Sequence, residues 1–183
     1  MAFLYLYEHL DTGWTLIGGQ LVHLHCAESG QFPVRPTNDA DTVIDVRADP
    51  TILHTFTKTL TDIGFKSAGI SAEGRQRRWV RDQASIDVLL PEGIGERASL
   101  RRGVTGSPTL PTEDGTQALQ SSETVAVTVD SLRASCVART LSARSWSRPL
   151  PTPTPATSTH VATAATSSCW RARSPRPTWY PKT

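Results

Sequence analysis

Short apolar runs alternate with helical patterns along the first 130 residues. The run 14–17 is typical of a buried strand, and the pattern in 20–28, which ends before Gly30, predicts the helix that follows it. Residues 42–46 are rich in β-branched side chains and predict a second strand. Strands and helices that alternate in this way predict an α/β or α+β fold, in which a mixed sheet is flanked by helices.

The clearest helical pattern follows Asp49 and Pro50, which are expected to be the N-cap and the first residue of a helix. Apolar residues then recur at helical spacing: Ile52, Leu53, Phe56, Leu60 and Ile63. Gly64 is well placed to end the helix. This segment therefore predicts an amphipathic helix with one face in the core.

A hairpin is predicted next. Residues 77–81 and 85–90 have strand character, and a tight turn near Asp82-Gln83 would join them. Residues 93–122 are rich in glycine and proline and predict loops, whereas 124–129 predict a last strand.

Charge divides the chain into two parts. All 17 acidic residues lie in 1–130 beside 11 Lys and Arg, a net charge of −6, whereas 131–183 have 8 Lys and Arg and no acid, a net charge of +8. The first part thus lacks a broad nucleic-acid footprint. We predict a domain over 1–130 and a basic tail, rich in Ser, Thr, Pro and Arg, that is too poor in apolar residues to fold.

The tail also has a second interpretation, a shifted reading frame. One GC-rich choice of codons for residues 142–149, read from its third base, encodes Gly-Ala-Leu-Val-Val-Lys-Ala. Residues 166–173 treated in the same way encode Phe-Val-Leu-Leu-Ala-Arg-Pro. Both hidden strings have helical character, so we hypothesise that a frameshift near residue 134 replaced a C-terminal helical region.

Membrane and secretory signals are weak. No apolar run approaches the ~20 residues of a membrane span, and the first seven residues lack the basic region and cleavage site of a signal peptide. The three cysteines are widely spaced, which is typical of a reducing compartment. We expect a cytoplasmic protein with no membrane partner.

Candidate chemistry centres on aspartates. Asp39 and Asp41 are two residues apart, so on a strand their side chains share a face. Asp87 lies in the separate run 85–90 and would add a third carboxylate from a neighbouring strand. Carboxylates in this arrangement predict a Mg²⁺ seat, or a two-metal site for phosphoryl or nucleotidyl transfer.

Three segments carry a family resemblance: Gly18-Gly19, Arg35-Pro-Thr-Asn-Asp-Ala-Asp41 and Ile86-Asp-Val88. In this order they resemble the DNA polymerase beta-type nucleotidyltransferase superfamily, and within it the bacterial group related to abortive-infection (AbiEii-like) toxins. The resemblance covers about 13–130, and residues 115–119 are similar to a segment common in that group.

The resemblance implies a minimal nucleotidyltransferase fold and metal-dependent transfer of a nucleoside monophosphate from an NTP to a hydroxyl acceptor. RNA is the implied acceptor and a cognate antitoxin the implied partner, as in toxin–antitoxin systems. The implied roles are metal binding (Mg²⁺ or Mn²⁺) by Asp39 and Asp41, a third ligand or base at Asp87, triphosphate approach at Gly18 and Gly19, and phosphate contact at Arg35 and Thr37.

Departures from the pattern keep other interpretations open. The interval from Gly19 to Asp39 is longer than in the compact superfamily pattern, and helices that normally help to bind the nucleotide are missing after 130. A nucleotide-binding remnant without turnover and a D-x-D glycosyltransferase are the alternatives. For Arg35 and Thr37, ordinary turn residues are an equal interpretation, and the arginines around Trp79 favour a solvated strand face over a phosphate or RNA contact.

Overall fold

The computed structural model describes residues 2–129, 132–139 and 161–163. Within these ranges the helices are α1 Ala2–His9, α2 Gly18–Glu28, α3 Ile52–Asp62, α4 Glu96–Ser99 and α5 Gly115–Gln120. The strands are β1 Trp14–Ile17, β2 Asp39–Ile44, β3 Lys66–Ser67, β4 Arg78–Arg81, β5 Ala84–Pro91, β6 Leu110–Thr112, β7 Ser122–Val129, β8 Leu132–Arg139 and β9 Val161–Thr163.

All nine strands belong to one mixed sheet in the order β3-β4-β5-β2-β1-β8-β7-β9, and β6 pairs with β5. Strand β2 is antiparallel to β1 and parallel to β5, while β4 and β5 form an antiparallel hairpin. The predicted fold class, a mixed sheet flanked by helices, is confirmed.

The core lies on one face of this sheet. Strand residues on that face include Trp14, Ile44 and Ile86, which are at most 1% exposed. They cluster with buried apolar residues of three helices: Ala2 and Leu6 of α1, Leu21 and Leu24 of α2, and Leu53, Phe56 and Leu60 of α3. Helices α1, α2 and α3 therefore cover this face, which leaves the alternate positions of β2 and β5 for the opposite face.

Helix α3 confirms the amphipathic prediction, although it begins two residues later than expected. Its N-cap is Thr51, and Asp49 Oδ1 accepts hydrogen bonds from the amide and hydroxyl of Thr51, both 2.8 Å long. The helix ends at Asp62 with Ile63 as its C-cap, and Gly64, the residue predicted to stop it, follows with a φ of 91° that permits the reversal of the chain. The amide of Phe65 then bonds to the carbonyl of Leu60 at 2.9 Å, which completes a Schellman motif.

Pairing in the central hairpin follows from its two-residue turn. Asp82 adopts a positive φ of 54°, and the register pairs Arg81 with Ala84 and Arg78 with Asp87. The predicted hairpin is thus confirmed. Strand β2 was predicted over 42–46, but it begins at Asp39, so two of the candidate carboxylates lie within the strand.

Several elements differ from the sequence expectation. Residues 93–122 were predicted as loops but contain α4, β6 and α5, and α1 was not expected. These helices are short, so their periodicity is weak. The predicted boundary at 130 falls between β7 and β8, which pair along eight positions, so the sheet continues to Arg139. The predicted tail beyond Arg139, which contains both hidden strings of the frameshift hypothesis, lies outside the described residues except for β9.

No helix in the described ranges is both long enough and apolar enough to cross a membrane.

Candidate functional site

Three aspartates share the face of the sheet that is opposite to the core. Asp41 of β2 and Asp87 of β5 are register partners in the parallel pair, and Asp39 faces Ser85 in the same register. Register partners point to the same face, as do residues two apart on a strand. The backbone thus brings together the carboxylates that the sequence singled out, and we call Asp39, Asp41 and Asp87 the carboxylate row.

Asp87 is bound by two arginines. Arg78, its register partner across the hairpin, donates from Nε to Oδ1 at 2.8 Å and from Nη2 to Oδ2 at 3.1 Å. Arg77 Nε lies 3.5 Å from Oδ2. The Asp87 side chain is only 8% exposed, whereas those of Arg77 and Arg78 are 50% and 44% exposed. Both oxygens of a buried carboxylate are therefore held by arginines that reach solvent.

Asp41 is the electrostatically strained member of the row. Burial is the main cause that raises the pKa of its carboxyl group, and repulsion from Asp87 and Asp39 adds to it. Arg78 and Arg77 oppose the shift without cancelling it. Within the described residues, no hydrogen-bond donor or ion-pair partner contacts the Asp41 carboxylate. A cation beside Asp41 would relieve both the burial cost and the repulsion.

Asp39 is the exposed end of the row. Its Oδ1 accepts a hydrogen bond from the hydroxyl of Ser85 on β5. Its amide donates to Thr37 Oγ1 at 3.1 Å, which fixes the backbone just before β2. The first contact orients the carboxylate, and in the described part of the chain its Oδ2 is available for a further partner.

The glycine pair lies directly against the row. Gly18 has a φ of 69° at the junction of β1 and α2, and a methyl group there would overlap Asp41, 3.1 Å from its Cγ and closer still to Oδ2. A methyl group on Gly19 would come 3.0 Å from Thr37 Cγ2. Both positions thus allow a close approach that any side chain would block.

Helix α2 also holds the segment between the glycines and β2. Gln20 Nε2 donates to the carbonyl of Thr37 at 2.6 Å, and His23 Nε2 donates to the carbonyl of Arg35 at 2.9 Å. His25 Nδ1 pairs with Glu28 Oε2 at 2.7 Å, a contact within α2 itself. Arg35 itself is exposed, and its predicted phosphate contact stays a prediction.

Helix α5 borders the same face. The amide of Gly115 donates to Glu92 Oε2 at 2.9 Å, and the hydroxyl of Thr116 donates to the Glu92 carbonyl at 3.3 Å. Glu92's own amide, followed by those of Gly115 and Thr116, lowers the pKa of the Glu92 carboxyl group. A methyl group on Gly115 would come 3.3 Å from Val43 Cγ1, so α5 packs two residues away from Asp41.

The donor set fits a metal only in part. In the described part of the chain, no three His, Cys, Asp or Glu side chains form a group that could hold a metal ion. Asp39 and Asp41 supply oxygen donors on one face, and Mg²⁺ is commonly held by one or two carboxylates together with substrate phosphates. These two residues fit such an ion, whereas Asp87 does not while both its oxygens are bound to arginine.

Sequence reasoning missed the partners of the row. The two-residue turn at Asp82-Gln83 already implies that Arg78 faces Asp87, because hairpin partners are counted outward from the turn. The cluster of arginines was instead interpreted as a solvated face. Ser85 had a weaker signal, its position two residues before Asp87, whereas Glu92 had none.

Comparison with known proteins identifies no relative of this chain. No protein-family model, curated protein or solved structure matches the chain. Membership of the nucleotidyltransferase superfamily therefore stays a prediction from the three sequence segments.

Proposed function

We propose that this chain is a metal-dependent nucleotidyltransferase of the DNA polymerase beta type, which transfers a nucleoside monophosphate from an NTP to a hydroxyl acceptor. One observation carries the proposal: Gly18 lies against the Asp41 carboxylate without room for a side chain. A turn suited to phosphate and a seat suited to a divalent cation thus coincide, as a metal-bound triphosphate requires.

The phosphate side of the site is formed by the start of α2. The first amides of a helix have no intrahelical partner, and the helix dipole makes them favourable to anions. Gly18 and Gly19 begin this 11-residue helix and keep the approach free of side chains. The triphosphate would lie over these amides, with its negative charge directed toward the cation that the carboxylate row would hold.

The cation side of the site is formed by Asp39 and Asp41, which would hold Mg²⁺ or Mn²⁺. When bound, such an ion neutralises phosphate charge and favours attack at phosphorus. Ser85 orients Asp39 through its hydroxyl, and among the described residues no side chain is bonded to the Asp41 carboxylate, which leaves it available. Both residues therefore serve to bind and orient the nucleotide.

The role of Asp87 depends on its arginines. A base must be within hydrogen-bond reach of the hydroxyl from which it takes a proton. Asp87 instead accepts two hydrogen bonds from Arg78. It can act as a base or as a third ligand after those bonds are released.

The acceptor and the partner follow from the resemblance alone. RNA would supply the hydroxyl, a cognate antitoxin would bind the toxin-like domain, and both would meet it in the cytoplasm. The half-exposed side chains of Arg77 and Arg78 lie beside the row, where an RNA phosphate would meet them.

Incubation of the full chain with labelled NTPs, Mg²⁺ and total RNA tests the proposal. We expect label to appear in RNA, and to disappear in Asp39→Ala and Asp41→Ala. Asp62→Ala is the matched control, because Asp62 is an exposed acid paired with Lys58 on α3. No transfer by the wild-type chain with any of the four NTPs would refute the catalytic proposal.

A non-catalytic nucleotide-binding module is the second candidate. The Asp87–Arg78 ion pair favours it, because a third carboxylate bound to arginine supports binding without proton abstraction. Its signature is NTP binding that requires Asp41 and Mg²⁺, without incorporation of label. Absence of both binding and transfer would leave only a remnant of the fold.

A further inference from the structure

Asp87 is paired with two arginines, and metal binding by Asp39 and Asp41 does not explain this pairing. The three carboxylates of the row and the guanidinium groups of Arg77 and Arg78 together leave one net negative charge. The arginines thus supply most of the positive charge that a row of acids needs. They occupy the position that a cation would take at Asp87.

Arg78 and a cation compete for the same atoms. Arg78 binds both Asp87 oxygens, and Arg77 lies 3.5 Å from one of them. A divalent ion close to Asp41 would repel guanidinium groups at the neighbouring Asp87 and would attract its carboxylate. Occupation of the row by a cation and retention of the bidentate arginine pair are therefore opposed.

Burial decides which partner moves. The Asp87 side chain is 8% exposed and lies on β5, an interior strand of the sheet, whereas the Arg78 side chain is 44% exposed. A buried carboxylate is costly without a partner, so Asp87 exchanges one cation for another and does not stay unpaired. Arg78 has a long, flexible stem, and it can leave Asp87 without leaving the site.

We propose that Arg78 is an exchangeable cation of this site, which leaves Asp87 when a divalent ion enters and then binds the triphosphate that the ion brings. Guanidinium binds phosphate oxygens as readily as carboxylate oxygens, since both accept its paired N–H groups. Arg78 is thereby a nucleotide-positioning residue, and its release gives the row its third carboxylate. The inference rests on the proposed function, because it requires a cation and a nucleotide at the row.

Opposite effects on two ligands test this exchange. In Arg78→Gln, we expect Mn²⁺ alone to bind at least about fivefold more tightly than in the wild type, because its competitor is gone. A non-hydrolysable NTP analogue with Mg²⁺ should bind at least about fivefold more weakly, because its phosphate partner is gone. Mn²⁺ binding is measured by electron paramagnetic resonance, and nucleotide binding by calorimetry.

Arg81→Gln is the matched control. Arg81 lies on the same strand, but it donates to the carbonyl of Ile63 at 2.6 Å and stacks on Phe65, away from the row. Neither affinity should change in this variant. An unpaired Asp87 in Arg78→Gln could unfold the chain, and the double variant Arg78→Gln/Asp87→Asn keeps the test valid in that case. Its Mn²⁺ affinity should equal that of Asp87→Asn alone, because Arg78 then has no carboxylate to compete for.

The outcomes separate the two proposals. Mn²⁺ binding that requires Asp41 but is unchanged by Arg78→Gln, or nucleotide binding unchanged by it, would overturn the exchange and leave the proposed function standing. Opposite changes in the two affinities without label transfer would support the exchange in a non-catalytic site. Absence of Mn²⁺ binding in the wild type and in Arg78→Gln would overturn both.

Discussion

Gly18 packs against Asp41 so closely that a methyl group on the glycine would lie 3.1 Å from the carboxylate carbon. The contact joins the first residue of α2 to the middle of β2, although the two are 23 positions apart in the chain. Gly18 therefore does more than permit a turn: the absence of a side chain at this position lets the start of α2 lie against the Asp41 carboxylate.

Gly18→Ala should therefore be among the most damaging single-methyl additions in the chain. An L-residue at a φ of 69° costs about 1–2 kcal/mol, and overlap with a packed neighbour adds about 1–3 kcal/mol. Denaturant unfolding measures the loss of stability, and Mn²⁺ titration should show weaker binding at Asp41.

Gly30→Ala separates the two causes. Gly30 has a similar φ of 66°, but a methyl group there meets nothing within 4 Å. This variant should lose only the backbone cost and should bind Mn²⁺ normally. Equal destabilisation in the two variants would show that the contact with Asp41 contributes nothing.

Replacement of Asp41 should stabilise the fold near neutral pH. Burial and the neighbouring carboxylates raise its pKa in the folded state, so the folded chain holds this proton more tightly than the unfolded chain. The resulting stability is present below the unfolded pKa, about 3.9, and is lost as the pH rises through the folded value. Asp41→Asn has no carboxyl group to ionise, so the folded state no longer loses stability as the pH rises.

Thermal unfolding of Asp41→Asn at several pH values tests this sign. We expect a higher midpoint than the wild type at pH 7 and little difference near pH 3, together with loss of nucleotide binding. Asp62→Asn, on the exposed side of α3, should change the midpoint little at either pH. A lower midpoint for Asp41→Asn at pH 7 would contradict the electrostatic account.

Gly115→Ala should disturb the site from its flank. A methyl group there would come 2.8 Å from Pro91 Cα, a backbone atom that has no rotamer to change, so we expect a loss of about 1–3 kcal/mol. Helix α5 also rests on Val43, two residues from Asp41, so Mn²⁺ binding should weaken.

Thr116→Ala is the control for that helix, because it removes the hydroxyl contacts with Glu92, including the 3.3 Å hydrogen bond to its carbonyl, and leaves Gly115 unchanged. Its cost should be about 1 kcal/mol or less, with unchanged Mn²⁺ affinity. If both variants weaken Mn²⁺ binding equally, the effect belongs to α5 as a whole and not to the Gly115 contact.

DNA sequencing across codons 125–183 tests the frameshift hypothesis. We expect the codons for 142–149 and 166–173 to encode the two apolar strings in the shifted frame. Codons that yield neither string would end the hypothesis and would favour a native basic tail.

Local signals predicted the elements that local chemistry determines. Gly64 ends α3 through its own positive φ, and Asp82-Gln83 turns a two-residue hairpin, so both were visible in the sequence. The start of β2 was not visible, because Asp39 joins the strand by pairing with Ser85, 46 positions later. Helix α5 has six residues and depends on Glu92 and Pro91 for its position, which periodicity does not reveal.

The candidate site divides in the same way. That Asp39 and Asp41 share a face follows from their spacing on a strand, and the glycine pair was visible as a turn. The neutralisation of Asp87 by Arg78 depends on the register of the hairpin, and the approach of Gly18 to Asp41 depends on the packing of α2. Both features depend on tertiary structure. The pairing of Arg78 with Asp87 could nevertheless have been predicted by counting residues outward from the turn.

The carboxylate row draws its members from two strands, and its arginine from a third. A shift of one residue in any of these pairings would turn that strand's members to the opposite face of the sheet. Because the carboxylates and Arg78 come together only in the correct register, the affinity of a ligand for the carboxylate row reports whether the strands are paired correctly. A ligand that binds only the correctly registered chain also stabilises that chain by mass action, so cation and nucleotide would act as folding partners of the protein.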